Sequence, residues 1–249
     1  MDLGRGNGVG SRRTGMVLTL CLGWAVVAAT SAGAGIIPRS NFRVRVPAAC
    51  HAHPGSRACI DGLVYWLDRA RASLHQGPYR LPSNFASLPP DRQVFILVNL
   101  DRIQYGRAPV KGLTKALDRS AHDGVRHDHD PLGVRGWGGG ANWAGGPVNM
   151  VLAYELWMYD DGQGTGNIDC TPANHSGCWG HRRVVLQRLK SPYPTAMGAS
   201  AGRDTSGFPS YAILVGVGIS RSFHPSFYYT WKQAVADGAG KNRYVVHRP

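Results

Sequence analysis

The sequence predicts a mixed α/β layer structure, and three observations predict it. Apolar residues recur at helical spacing through residues 61–160, β-type runs gather in residues 193–220, and no βαβ alternation joins them. A doubly wound parallel sheet is therefore disfavoured. With 249 residues, 43% hydrophobic and 17% charged, the chain is long enough and apolar enough to bury a core. Gly 33 and Pro 16 without a Gly-X-Y period exclude collagen and favour a fold rich in turns.

The elements follow in order. Residues 61–74 place Leu63, Trp66, Leu67, Ala70 and Leu74 on one helical face, and Gly77-Pro78 ends that helix. Residues 79–88 read as loop. Pro89-Pro90-Asp91 opens a second helix, with Pro in the first turn and a carboxylate complementing the dipole. Val94, Phe95, Leu97, Val98, Leu100 and Ile103 form its apolar set, and Gly106 closes it. A shorter helix is expected over 113–122, an irregular His-, Asp- and Gly-rich segment over 123–147, and a helix over 149–160. Within the irregular segment, Gly138-Gly139-Gly140 reads as a flexible loop rather than a phosphate cradle. Strands are expected at 193–201 and 211–220, with an aromatic-rich stretch at 223–231.

Residues 1–34 carry Arg5, Arg12 and Arg13, then an uncharged apolar run, then Ser31, Ala32, Gly33 and Ala34. That succession is the signal-peptide pattern, and the apolar run is short for an uncleaved membrane anchor. Cleavage removes Cys21 and leaves Cys50, Cys59, Cys170 and Cys178. In an oxidising compartment the two close pairs suggest two local disulfides, Cys50–Cys59 and Cys170–Cys178. Neither spacing matches a structural zinc module. The net charge of +13 falls to +11 with the signal removed, which points to anionic envelope polymers or lipids as partners. The chain has no dense Lys/Arg run and no nucleic-acid motif.

Three constellations carry potential chemistry. His122, Asp123, His127, Asp128, His129 and Asp130 offer imidazoles beside carboxylates, the donor types of a metal site, although taken alone the cluster reads more readily as a solvated Asp-rich loop. Gly180-His181 follows a cysteine and holds an imidazole on a tight loop edge. Asp160-Asp161 ends the helix after Trp157, where paired carboxylates serve either acid–base work or turn formation. No G-x-S-x-G, S-x-x-K or H-E-x-x-H nucleophile or metalloprotease motif occurs.

Taken in order, Leu-Pro-Ser-Asn-Phe-Ala-Ser-Leu-Pro at 81–89, Asn-Leu-Asp-Arg at 99–102, Ala-Asn-Trp-Ala-Gly-Gly at 141–146, Trp-Met-Tyr-Asp-Asp-Gly at 157–162 and Gly-Cys-Trp-Gly-His-Arg at 177–182 form a pattern. In that order the chain resembles the CAP superfamily, the SCP-like extracellular domain, and most closely its actinobacterial secreted branch. The resemblance covers residues 80–220 and implies a three-layer α–β–α sandwich around an antiparallel sheet. It divides the chain into a signal peptide (1–34), an N-terminal extension with a helix (35–78) and the CAP-like domain (79–249).

Many members of that family hold a divalent metal such as zinc on two His and two Glu. The resemblance carries His181 over from the family's Gly-His, and Asp160 as its helix-end carboxylate. His127 or His129 would supply the other imidazole. Ala141 stands where the family has Glu, so one ligand is missing. The ligand groove implied is Asn142, Trp157 and His181. The function implied is non-enzymatic binding of a lipid, glycan or wall polymer at the cell envelope. The alternative is a metal-assisted secreted hydrolase using His181 and Asp160.

Overall fold

A computed structural model describes residues 37–189, 192–241 and 244–246; the expected signal segment, with Cys21, lies outside them. The described residues form a mixed α/β structure with seven α-helices and one five-stranded sheet. Helices α1 (Ala48–Ala52), α2 (Arg57–Ser73) and α3 (Pro90–Gln104) come first. Strand β1 (Gly112–Leu113), helix α4 (Lys115–His127), strand β2 (Trp137–Gly145) and helix α5 (Met150–Tyr159) follow. Helix α6 (Gly180–Leu186), strands β3 (Thr195–Arg203), β4 (Pro209–Gly218) and β5 (Tyr229–Thr230), and helix α7 (Trp231–Asp237) complete the chain.

Local chemistry sets the helix starts. Ser56 caps α2 by accepting a hydrogen bond from the Cys59 amide, and Pro90 occupies the first turn of α3. Thr114 caps α4 and Asn149 caps α5 in the same way as Ser56. The Thr114 cap explains why the helix expected over 113–122 begins later. Gly112-Leu113 is instead a strand, and the helix runs on to His127.

The strand order is β2-β4-β3-β1-β5. The pairs β2–β4, β3–β4 and β1–β5 are antiparallel, as expected, but β1 runs parallel to β3, so the sheet is mixed. A long crossover through α4, β2, α5 and α6 separates β1 from β3 and permits that parallel pairing. The Gly138-Gly139-Gly140 run is not a loop. It lies within β2, paired with Val217, Gly216 and Val215 of β4. Glycine's weak intrinsic strand preference is overridden by a partner strand. A side chain at Gly139 would collide with the Val215 carbonyl, and one at Gly140 would meet Val184 of α6.

Strand alternation divides the core between two faces. Met197, Ala199, Tyr211, Ile213 and Val215 turn toward the main cluster, which also holds Leu63, Leu67, Phe95, Leu97, Tyr154 and Trp157. A fully buried Leu, Ile, Val, Phe or Met among these contributes about 1.5–3 kcal/mol relative to exposure. On the opposite face Leu117, Ala121 and Val125 of α4 cover Ala196, Ala212 and Leu214. A Cβ at Gly198 would strike the α4 backbone at Leu117 and Asp118, so glycine sets how closely this helix approaches the sheet. Helix α2 contributes to the same main cluster as α3 and α5. No helix among the described residues is long and apolar enough to cross a membrane.

The expected disulfides Cys50–Cys59 and Cys170–Cys178 are both formed. The first joins α1 to α2; the second closes the loop that leads into α6.

Candidate functional site

Helix α5 ends at Tyr159 in two adjacent carboxylates, and α6 begins at Gly180. The loop between them, closed by Cys170–Cys178, brings the two helix ends together. Trp179, in the left-handed conformation with φ 63°, donates its amide to the Asp161 carbonyl at 2.8 Å. The next turn places His181 Nδ1 2.6 Å from Asp161 Oδ1. The other Asp161 oxygen accepts from the Arg182 amide at 3.2 Å, and Asn167 Nδ2 reaches Oδ1 at 2.6 Å. Asp161 is buried, at 1% exposure, and its carboxylate meets His181, Asn167 and the Arg182 amide. It both anchors the start of α6 and orients the imidazole. Asn142, wholly buried on β2, donates Nδ2 to the His181 carbonyl at 3.0 Å and fixes the same turn from the other side.

His181 opens onto a cleft of about 460 Å³. Trp143, Leu156 and Ile168 supply apolar wall, while Asp130, Asp160 and Asp169 supply carboxylates. Trp157, otherwise buried, also lines the cleft and donates Nε1 to the Trp143 carbonyl at 3.1 Å. An adjoining recess of about 300 Å³ is lined by Ala141 and Asn142 and shares Asp130, Asp169 and His181 with the larger cleft. The cleft is therefore acidic in a chain whose formal charge is +13.

The electrostatics follow from this crowding. Burial opposes charge on His181, but the hydrogen bond and charge of Asp161, with Asp130 and Asp169, outweigh it and raise the imidazole above its ordinary value. Burial raises the carboxyl of Asp160; Arg43, with Nε 3.7 Å away, opposes this and Asp161 reinforces it. Asp160 is 6% exposed, and its Oδ1 has no hydrogen-bond partner among the described residues. Glu155, one turn earlier in α5, is 1% exposed with neither carboxylate oxygen partnered. Burial, and then repulsion from Asp160, push its carboxyl well above the usual range.

Of the residues expected from the sequence, His181, Asp160, Trp157 and His129 line the larger cleft, and Asn142 and Ala141 line its recess. His127 lines neither; it stands at the end of α4, stacked on His129 with ring centroids 6.1 Å apart. Among the described residues, one set of three His, Cys, Asp or Glu ligand atoms lies within 4.8 Å of one another: Asp123, His127 and His129. His181, Asp160 and His129 share the cleft but do not converge on a common ligand point, and Ala141 offers only a methyl group. The residues present do not fit the four-ligand cavity metal that the resemblance implies.

Sequence reasoning singled out the Asp160-Asp161 pair but placed the weight on the first carboxylate. The structure places Asp161, not Asp160, against His181. Asp160 is the last position of the helical turn, whereas Asp161 has already left it toward α6. Trp143, part of the 141–146 motif, lines the cleft, whereas Asp169 carried no signal beyond residue type, since it reaches the cleft through a loop distant in sequence. No protein family, no curated protein and no solved structure matches the chain.

Proposed function

We propose that the chain is a secreted CAP-type domain, with the family's three-layer sandwich, that acts at the cell envelope by binding a wall glycan in the cleft centred on His181. The observation that carries this reading is the lining: an apolar wall with a half-buried Trp143 faces Asp130, Asp160 and Asp169. Carboxylates accept hydrogen bonds from hydroxyl and amine donors and repel phosphate, while an indole offers a flat apolar platform. That combination suits a polyol better than an anionic headgroup. The basic remainder of the chain supports the expected attraction to anionic envelope polymers, outside the cleft. The two disulfides are compatible with an extracellular setting.

Calorimetric titration with soluble cell-wall oligosaccharides tests the proposal. Binding should weaken at least tenfold in Trp143→Ala and Asp160→Asn, with the oligosaccharides recovered intact. Equal binding by wild type and both variants would sink the cleft as the glycan site.

The hydrolase reading rests on a different observation. The His181–Asp161 pair has the base-and-orienter geometry of an acid–base catalyst, and Asp160 presents an unpartnered buried oxygen nearby. In that reading His181 takes the proton of an attacking water and Asp161 positions the ring. Fragmentation of the oligosaccharides by wild type, abolished in His181→Ala, would select it over binding alone.

A further inference from the structure

We propose that Asp123, His127 and His129 form a binding site for a late first-row divalent cation, zinc being the representative, at the end of α4 and separate from His181. Asp123 and His127 are four residues apart and share one face of the helix. Asp128 then adopts the left-handed conformation, φ 56° and ψ 48°, and ends the helix. This reversal lays the His129 ring nearly parallel to that of His127, 11° between planes. His127 Nδ1 is 3.2 Å from Asp123 Oδ1, and His129 Nε2 is 3.8 Å from Asp123 Oδ2.

Those spacings match the coordination of a small cation. Tetrahedral ligands about 2.0–2.1 Å from zinc lie roughly 3.3 Å from one another. One ligand atom from each residue lies within 4.8 Å of the others, so closure around an ion needs the side chains to draw in and His127 Nδ1 to give up its 3.1 Å contact with the Asp123 carbonyl. Two imidazoles and one carboxylate favour zinc, copper or nickel over magnesium or calcium, which prefer oxygen ligands. The three side chains are partly exposed, which leaves a path for entry and a fourth position for water. Because His129 also lines the larger cleft, an ion held here stands on its rim and places a positive charge beside Asp128 and Asp130.

The test is zinc titration of the full chain by calorimetry at pH 7.5, with cobalt(II) absorption as a second readout of coordination number. About one equivalent should bind, with a four-coordinate cobalt spectrum. His127→Ala and Asp123→Asn should weaken binding by at least the roughly 10–100-fold that loss of an outer partner costs. His181→Ala should leave it unchanged. Far-UV circular dichroism of each variant checks that α4 is retained, and Asp123→Asn, which keeps the side-chain volume, stands in if His127→Ala loses it. Absence of heat at millimolar zinc, binding that survives both variants, or binding lost in His181→Ala would each overturn the proposal.

Discussion

His181 Nδ1 and Asp161 Oδ1 lie 2.6 Å apart, at the junction of two helices whose other contacts hold both side chains still. The imidazole is raised above its ordinary value in the folded chain, so its charge contributes stability in full below about pH 6.5. That contribution is lost as pH rises through the folded value. Asp161→Asn removes the partner and leaves burial, which lowers the imidazole. Imidazole NMR titration should show the His181 midpoint moving downward in the variant, and urea unfolding below pH 6.5 should show about 1.5–3 kcal/mol less stability. An unmoved midpoint would mean that Asp130 and Asp169 alone hold the charge.

Glu155 makes the opposite kind of statement: a carboxyl group buried in α5 without a partner. Its folded-state value is well above the usual one, so the stability it permits is present below about pH 4.5 and declines as pH rises. Glu155→Met keeps the unbranched shape and removes the ionisable group. The variant should be more stable than wild type at pH 8, by about 1–3 kcal/mol, with the difference shrinking toward pH 4. A pH-independent difference in denaturant midpoint would rule this account out.

These two residues show what the sequence could and could not convey. The helix α3 was legible because its apolar residues and its Pro-Pro-Asp start are local signals. Strand β4 was legible as a short apolar run, and the disulfides as two close pairs of cysteines. Strand β2 was not, because three glycines have no preference of their own and acquire one only beside β4, some seventy residues later. The site was half legible. His181 and the Asp160-Asp161 pair stood out, but which carboxylate faces the imidazole depends on where α5 releases the chain.

Arg71 of α2 and Asp101 of α3 form a buried ion pair, and Asp101 also accepts from the hydroxyls of Tyr79, Tyr154 and Tyr159. Arg71→Met strands the carboxylate away from its only charged partner among the described residues. A loss of about 3–5 kcal/mol is expected. For a chain of this size that lowers the melting temperature by about 2–4 °C per kcal/mol, measurable by calorimetry. A shift of only a degree or two would mean that the three hydroxyls suffice for Asp101.

Cys170–Cys178 closes a short loop between the two helix ends of the site. Replacing both with Ser should cost about 2–3 kcal/mol through the freed unfolded chain. It should also loosen the turn that presents His181, so oligosaccharide binding should weaken in the cleft beyond the change in global stability. Calorimetry well below the melting temperature separates the two effects. Unaltered affinity with lowered melting would confine the disulfide to a role in folding.

Asn41 accepts from the Gly162 amide and donates to the Gln163 carbonyl, across a sequence separation of about 121 residues. Both disulfides, by contrast, bridge cysteines only 9 and 8 positions apart. Short loops close early and distant contacts late. The rim of the cleft at Gly162 is thus held by contacts that close a far longer loop than either disulfide does.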